Sequence, residues 1–513
     1  MQSETIPDLK KKVASKRIFQ FLNKNPSEAK AKTFFSKVMQ NSLKPLTTIF
    51  EDTANHDEAE KIRDSPSAAN NENQNNSSKT SPYNASYTAR YNLPKDIRGY
   101  SPTAGGMLSR SGSLSPRSFM PSRKNEELNF KTKFRLPMTG TQALLLYEDY
   151  LTETEKREIE KYEMVYFFGG RVGKLDGNFE DEHGAYKVVF GDHLAFRYEI
   201  IELLGKGTFG YVYKCLDYKR DIYVAIKILR KNPKIRRQGE NEIKNLELLN
   251  EEDLDDSKNL IRMLQCFEFR SHLCISFELL SLNLYQFLKK QKFQGMNPHL
   301  IKRIALQILV ALRFLHNLGL IHSDLKLENI LLKNEGKSSI KMIDFGSAIH
   351  YTNPLCCYLQ SRYYRAPEVI LGAGYDNKID IWSFGCILTE LYTGRPAFPG
   401  ENEHDQLIRI MSVIGVPPRQ VMDKSRRRST FFNDDNTPKL VKNKRGHVLL
   451  PGSRELFEAT EKEELSFKDF ITKCLEIDPN KRFSAEEALK HPWIKGSRTK
   501  GNGPELRIRR LNW

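Results

Sequence analysis

A chain of 513 residues exceeds one ordinary domain, and 28% charged against 39% hydrophobic residues describes a folded region diluted by polar sequence. Lys and Arg number 81 against 64 Asp and Glu, a formal +17, but residues 1–135 hold 23 basic and 13 acidic residues and carry +10 of it. That distribution excludes a strongly basic groove on the folded part as the main source of charge, and no run approaches the roughly 18 apolar residues of a membrane helix.

The first residues, MQSETIPDLKKK, have no apolar h-region, so no secretory signal is expected. In residues 31–46, Phe34, Phe35, Val38, Met39, Leu43 and Leu46 fall near a helical period. This is either a basic amphipathic helix for a partner or membrane surface, or a transient helix in a disordered arm, and the second reading is preferred. Residues 51–127 include NNENQNN and LSRSGSLSPRS and cannot bury enough surface to order themselves. A disordered basic arm is therefore expected over 1–133. It carries Ser-Pro pairs at Ser65, Ser81, Ser101 and Ser115, and it lacks the interleaved aromatics of a stable nucleic-acid binder.

The pattern changes near residue 134. TQALLLYEDYLTETEKREIEKY reads as helix, and MVYFFGG (164–170) reads as a strand ended by glycine. From 198 onward the strand-like segments YEIIELL, YVYKCLD, YVAIKIL and LCISFELL come first. Helical patterns such as HLIKRIALQILVALRFLHNLG (299–319) follow, which predicts an α+β fold of two lobes. The expected divisions are an accessory region over 134–196, a β-rich N-lobe over 198–283, a mainly helical C-lobe over 284–494 and a basic tail over 495–513. The seven cysteines, Cys215, Cys266, Cys274, Cys356, Cys357, Cys386 and Cys474, are odd in number and form no C-x-x-C pair. A zinc site or disulfide framework is not expected. A reducing compartment is, so the location is read as cytoplasmic with nuclear residence also open.

The chemistry lies in a set of motifs in fixed order. Gly205-Lys206-Gly207-Thr208-Phe209-Gly210-Tyr211-Val212 fits G-x-G-x-x-G-x-V, a loop whose glycines let backbone approach phosphate oxygens. It is flanked by strands, whereas a dinucleotide-binding loop opens a helix. Fifteen residues past Val212, Lys227 ends Val-Ala-Ile-Lys, the context of a lysine that reaches the α/β-phosphates. Its helix partner is read as Glu242, with Glu240 and Glu247 as competitors. His322-Ser323-Asp324-Leu325-Lys326-Leu327-Glu328-Asn329 supplies Asp324 to orient a hydroxyl and accept its proton, and Lys326 to neutralise the moving phosphoryl group. Asn329 supplies an oxygen for a metal. Fifteen residues on, Asp344-Phe345-Gly346 offers a carboxylate suited to Mg²⁺ shared with nucleotide phosphates, and Ala366-Pro367-Glu368 closes the segment.

Together these resemble the eukaryotic protein kinase fold, over roughly 198–494. Ser361-Arg362-Tyr363-Tyr364-Arg365-Ala366-Pro367-Glu368 is similar to the group of cyclin-dependent, mitogen-activated and related kinases. Within it the hinge-like stretch His272–Tyr285 and the Asp181-Glu182-His183-Gly184-Ala185-Tyr186 box resemble the DYRK family, the dual-specificity tyrosine-regulated kinases, and the Thr139–Phe168 region resembles the accessory domain of its class II branch, which assists maturation. The resemblance implies ATP and Mg²⁺ as cofactors and Phe277 as gatekeeper. It also implies backbone groups of Glu278 and Leu280 at adenine, with Leu204, Ala225 and Leu331 around the nucleotide.

It further implies autophosphorylation of Tyr358, in a Cys356-Cys357-Tyr358 stretch where the family has Tyr-x-Tyr. Arg362 and Arg365 are read as the clamp for that phosphate; the alternative is that both serve the loop's own backbone. Homeodomain-interacting kinases share the Tyr358–Arg365 stretch, but the upstream box favours DYRK. Asp380 resembles the helix residue that anchors the catalytic loop, and Glu368 with Arg482 matches a scaffold ion pair. The run Arg426–Arg428 reads as a docking patch or, preferably, a solvated loop face.

Protein substrates with Ser/Thr-Pro sites and an arginine two or three residues upstream are implied, and a monomer is expected. In the arm, Arg98 precedes Ser101 and Arg63 precedes Ser65 at those spacings. Ser81 has no such arginine, and Ser115 has Arg110 only at minus five. A pseudokinase reading is disfavoured because Lys227, Asp324, Asn329 and Asp344 are all present.

Overall fold

A computed structural model describes residues 134–171, 173–351, 359–442, 446, 448–459 and 461–496. The arm with its 31–46 segment and Ser-Pro pairs, Cys356, Cys357, Tyr358, and the tail from 497 lie outside the described residues.

Two short helices come first, α1 (Gly140–Tyr147) and α2 (Glu153–Ile159). Each begins with a reciprocal cap, Thr139 with Gln142 and Thr152 with Glu155. The continuous helix expected over 141–162 is thus two, because the second cap starts a new helix after the extended Leu151 (φ −108°, ψ 138°). The strand expected at 164–170 does not form. Val165 makes one bridge to Met138, and Tyr166 and Phe167 both donate to the Phe196 carbonyl, so no ladder continues.

These segments bury Phe134, Met138, Ala143, Leu151, Ile159, Val165, Phe168 and Phe196 in a small core of their own. At its edge buried Glu155 accepts Lys174 Nζ at 2.7 Å and His193 Nε2 at 2.9 Å. Burial alone would raise its carboxyl; His193 and Lys174 hold it down to about 2. Arg270 bonds Glu158 at 3.0 Å and the Tyr186 hydroxyl at 3.0 Å, fastening α2 to the sheet that follows.

That sheet has six antiparallel strands in the order β1-β2-β3-β4-β6-β5. They are β1 (His193–Leu194), β2 (Tyr198–Lys206), β3 (Gly210–Asp217), β4 (Ile222–Leu229), β5 (Met263–Phe269) and β6 (His272–Glu278). Between β4 and β5 runs α3 (Pro233–Glu252), capped by Asn232 with proline at its first position. Its buried face holds Gly239, Glu242, Leu246 and Leu249, so a carboxylate is turned inward among apolar residues.

The remainder is mainly helical: α4 (Leu284–Lys290), α5 (Pro298–Asn317), α6 (Pro367–Leu371), α7 (Lys378–Thr393) and α8 (Glu403–Ile414) precede further helices, of which Lys462–Cys474 is the longest. Between α5 and α6 lie the short ribbons β7 (Leu320–Ile321) with β10 (Ile349–His350), and β8 (Ile330–Leu332) with β9 (Ile340–Met342). Every residue of α7 from Ile379 to Leu391 is buried, so this helix is enclosed on all sides and central to the lobe, with Asp380, Ser383, Thr389 and Glu390 among its buried polar groups. Beneath it Arg482 meets Glu368 through two bonds of 2.6 and 2.9 Å, both side chains almost fully enclosed.

Candidate active site

The hairpin between β2 and β3 carries the glycine motif. Gly207 N–H bonds Gly210 O at 2.9 Å and closes the turn. At Gly210 a Cβ would lie 2.1 Å from Ile228 O, so glycine is required by the neighbouring strand. At Gly205 a Cβ would meet nothing within 4 Å. That room is not filled by the protein's own packing, which fits the close approach of nucleotide phosphates. Val212 pairs in register with Gly205 on one side and Lys227 on the other. Leu204 and Lys206 are exposed, Lys206 lies over the Tyr211 ring, and the Phe209 carbonyl accepts Arg230 N–H. Thr208 is exposed at the turn.

Lys227 Nζ lies 2.9 and 2.8 Å from the two oxygens of Glu242 and 3.4 Å from Asp344 Oδ1. Burial works to lower the lysine's pKa, but Glu242 and then Asp344 raise it, so the ammonium stays charged. Asp344 is held below the usual carboxylate range: burial opposes this, and Lys227, Lys326 and His322 outweigh it. Of the three candidate glutamates, Glu240 instead bonds Arg236 at 3.1 Å. From the same face of α3, Gln238 donates to Gly346 O at 2.9 Å and Asn245 to Ala348 O at 3.3 Å. Spacings of four and three residues put all three side chains over the start of the activation segment. The sequence reading missed Gln238 and Asn245; polar residues at helical spacing from Glu242 were the available signal.

The catalytic loop hangs from α7. His322 and Ser323 donate their N–H groups to the two oxygens of Asp380, each at 2.9 Å, and His316 adds a third bond at 3.0 Å. Ser323 takes φ 62° and its hydroxyl donates to Ser347 O at 2.5 Å. Asp344 also lies in the left-handed region, at φ 67°. Such backbone is unfavourable for non-glycine residues and persists only where surroundings hold it. His322 accepts Asp324 N–H at Nδ1 and bonds Ile343 O through Nε2, and it packs edge-on against buried Phe345.

Asp324 Oδ1 accepts both the N–H (3.1 Å) and the hydroxyl (2.8 Å) of Ser361, while Oδ2 takes Lys326 Nζ at 2.5 Å. Lys326 also lies 3.3 Å from the Ser361 hydroxyl. Asn329 spends its amide N–H₂ on Asp324 O at 2.9 Å, and its backbone carbonyl accepts Ile343 N–H at 2.9 Å. The Asn329 amide oxygen therefore remains for a cation beside the segment that leads from β9 to Asp344.

Of the residues expected around adenine, Ala225 and Phe277 are cross-strand partners, and Leu331 bridges Asn283. Ser281 N–H bonds Leu332 O, so the hinge rests on β8. Glu278 and Leu280 are both half-buried there.

The clamp expected of Arg362 and Arg365 involves Tyr358, which lies outside the described residues. Arg365 is buried, donating to the carbonyls of Leu359 and Gln360 and to Glu403 at 2.9 Å; Arg362 donates to Glu401 O at 2.7 Å. The Arg365 guanidinium thus serves carbonyls of its own loop, which would otherwise be buried without donors, while Arg362 reaches a carbonyl of a separate segment. Arg427 belongs to the same network through Glu403 at 2.7 Å, so it is not a free docking residue.

Two more carboxylates, missed from the sequence, lie beneath this loop. Tyr364 donates to Glu390 at 2.6 Å, and Glu328 has a buried oxygen, Oε2, with no hydrogen-bond partner. Burial pushes the Glu390 carboxyl up to about 7 against the Tyr364 bond, with Glu328's charge adding to the rise.

A β-rich lobe, a helical lobe and this array between them define a eukaryotic protein kinase. Residues 198–494 match the Protein kinase domain. The chain is 44% identical over 376 residues to the dual specificity tyrosine-phosphorylation-regulated kinase 2 of Drosophila melanogaster, covering 71% of this chain and 52% of that protein. It is 43% identical over 392 residues to kinase 4 of the same name from Homo sapiens, covering 74% and 75%. It is 42% identical over 371 residues to the mbk-2 kinase of Caenorhabditis elegans, covering 67% and 45%. The chain belongs to the DYRK family of protein kinases. As a kinase it uses ATP and a divalent metal ion, and it phosphorylates protein.

Proposed function

We propose that the chain transfers the γ-phosphoryl group of ATP to Ser and Thr of proteins, at sites with arginine two or three residues before and proline after, and that it autophosphorylates Tyr358. The observation that carries the reading is the serine hydroxyl on Asp324: Ser361 Oγ stands 2.8 Å from Oδ1 with Lys326 beside both. A substrate hydroxyl taking that acceptor would be aligned by Asp324, which receives its proton, while Lys326 faces the moving phosphoryl group. Mg²⁺, held through Asn329 and Asp344, would supply charge neutralisation at the phosphates.

The sequence preference has physical support. Glu328 and Glu390 are enclosed carboxylates without a cationic bonding partner among the described residues, a site suited to a substrate guanidinium. The Gln360 carbonyl is already taken by Arg365, which removes one acceptor for a substrate N–H, and proline has none to place. Reduced cysteines fit a cytoplasmic kinase: Cys215, Cys266, Cys274, Cys386 and Cys474 are all free thiols. We read the enzyme as a monomer.

The test is to incubate purified wild type and Asp324→Asn with ATP and Mg²⁺ and to map phosphosites over time. Tyr358 should already be modified in protein made in bacteria. Ser101 should label before Ser65, and Ser81 last. Equal labelling by the variant removes the assignment of Asp324, and Ser81 labelling as fast as Ser101 removes the arginine preference.

A further inference from the structure

We propose that Lys341 is a positioning residue that ties the adenine edge of the active site to its metal edge. It sits in β9, three residues before Asp344, and its side chain is only 2% exposed. Its ammonium bonds Asp256 at 2.6 Å and, in a still shorter contact, the Glu278 carboxylate at the end of β6. The Glu278 carboxylate also accepts Arg262 N–H at 2.9 Å. Lys341 is also the cross-strand partner of Leu331, and residues paired in this way share one face of a ribbon. The lysine stem therefore runs beside the floor of the nucleotide site, and its charge reaches the hinge.

The backbone around it is tied to both lobes. Ile261 N–H bonds Met342 O, Met342 N–H bonds Asn259 O, and Ile343 N–H bonds Asn329 O. Without the ammonium, Glu278 and Asp256 would face one another as like charges, and the hinge would lose its support from below. Lys333 bonds the other oxygen of Asp256 at 3.3 Å but does not reach Glu278. A lysine merely ending a strand would be solvated; this one is enclosed between two carboxylates from separate segments.

The inference rests on the reading that the Glu278–Leu280 backbone meets adenine. Its test is steady-state kinetics of Lys341→Met, Lys341→Arg and Glu278→Gln, with adenosine and tripolyphosphate as competing probes. Lys341→Met should raise KM for ATP and the inhibition constant of adenosine together by about five- to tenfold, with kcat within about twofold. Tripolyphosphate inhibition should not move, and Lys341→Arg should recover most of the loss. A lower melting temperature with unchanged KM and adenosine inhibition would overturn the proposal, leaving Lys341 as scaffold only. Should Lys341→Met fail to fold, Glu278→Gln reads the same pair, and an unaltered adenosine constant there overturns it equally. If adenosine does not compete with ATP in the wild type, it is the hinge reading that fails.

Discussion

Glu242 receives the ammonium of Lys227 through both carboxylate oxygens, at 2.9 and 2.8 Å, from the buried face of α3. The pair forms within one chain, and the same helix face holds Gly346 and Ala348 through Gln238 and Asn245. The position of α3 and the start of the activation segment are therefore one mechanical unit.

Breaking that pair should be costly and specific. A hydrogen bond to a charged group contributes about 1.5–3 kcal/mol, or roughly ten- to hundredfold in rate. Glu242→Gln should lower kcat/KM by that order, whereas Glu240→Gln, which touches only Arg236 on the surface, should stay within about twofold. Peptide phosphorylation assays of the two variants decide it.

Asp324→Asn should keep fold and nucleotide affinity while losing transfer by about 10²–10⁴, the usual contribution of a positioned base. Nucleotide-induced thermal shift should match wild type. A variant retaining most of its turnover would remove Asp324 from the proton-accepting role.

The Glu368–Arg482 pair is a matter of stability rather than chemistry. Glu368→Gln leaves a buried guanidinium without its counter-charge, at a cost of about 3–5 kcal/mol. For a domain of this size that is roughly 10 °C in melting temperature. A shift of a degree or less would show that Arg482 is compensated by the Glu476 and Lys378 carbonyls it also bonds.

Glu390 supplies a pH dependence. Its carboxyl, pushed up chiefly by burial to about 7 from an ordinary 4.5, holds a proton in the folded state that the unfolded chain releases. Stability from this group is therefore complete below pH 4.5 and is lost as pH rises to about 7. Glu390→Gln should flatten that part of the unfolding profile relative to wild type. A substrate arginine prefers the ionised form, so KM for an arginine-bearing peptide should rise as pH falls below 7, and KM for its alanine counterpart should not. Identical pH profiles for the two peptides would exclude Glu390 as the arginine acceptor.

Tyr358→Phe should reduce activity, and Cys356→Ser should leave it unchanged, since a thiol has no phosphoacceptor role in this family. Mass spectrometry of bacterially expressed protein, together with peptide assays, measures both.

The amino-acid sequence by itself determined the class of protein and most of its reacting groups. Phosphate loops, the catalytic Asp-x-Lys and the metal Asp-Phe-Gly are local patterns, each needing particular residue types within a single turn, and they survive as strings. Strand segments such as Tyr223–Leu229 were legible for the same reason, since period-two burial is a local property. What only the tertiary structure decided are pairings between distant parts. Lys227 and Asp344 meet across 117 residues, and the choice of Glu242 over Glu240 depends on how α3 is rotated against the sheet. The use of Arg365 on its own loop depends on which carbonyls packing buries, and the joining of Lys341 to Glu278 on where β9 lies under the hinge. Residues 164–170 have the composition of a strand but find no neighbour to ladder with, and a strand exists only through its partner.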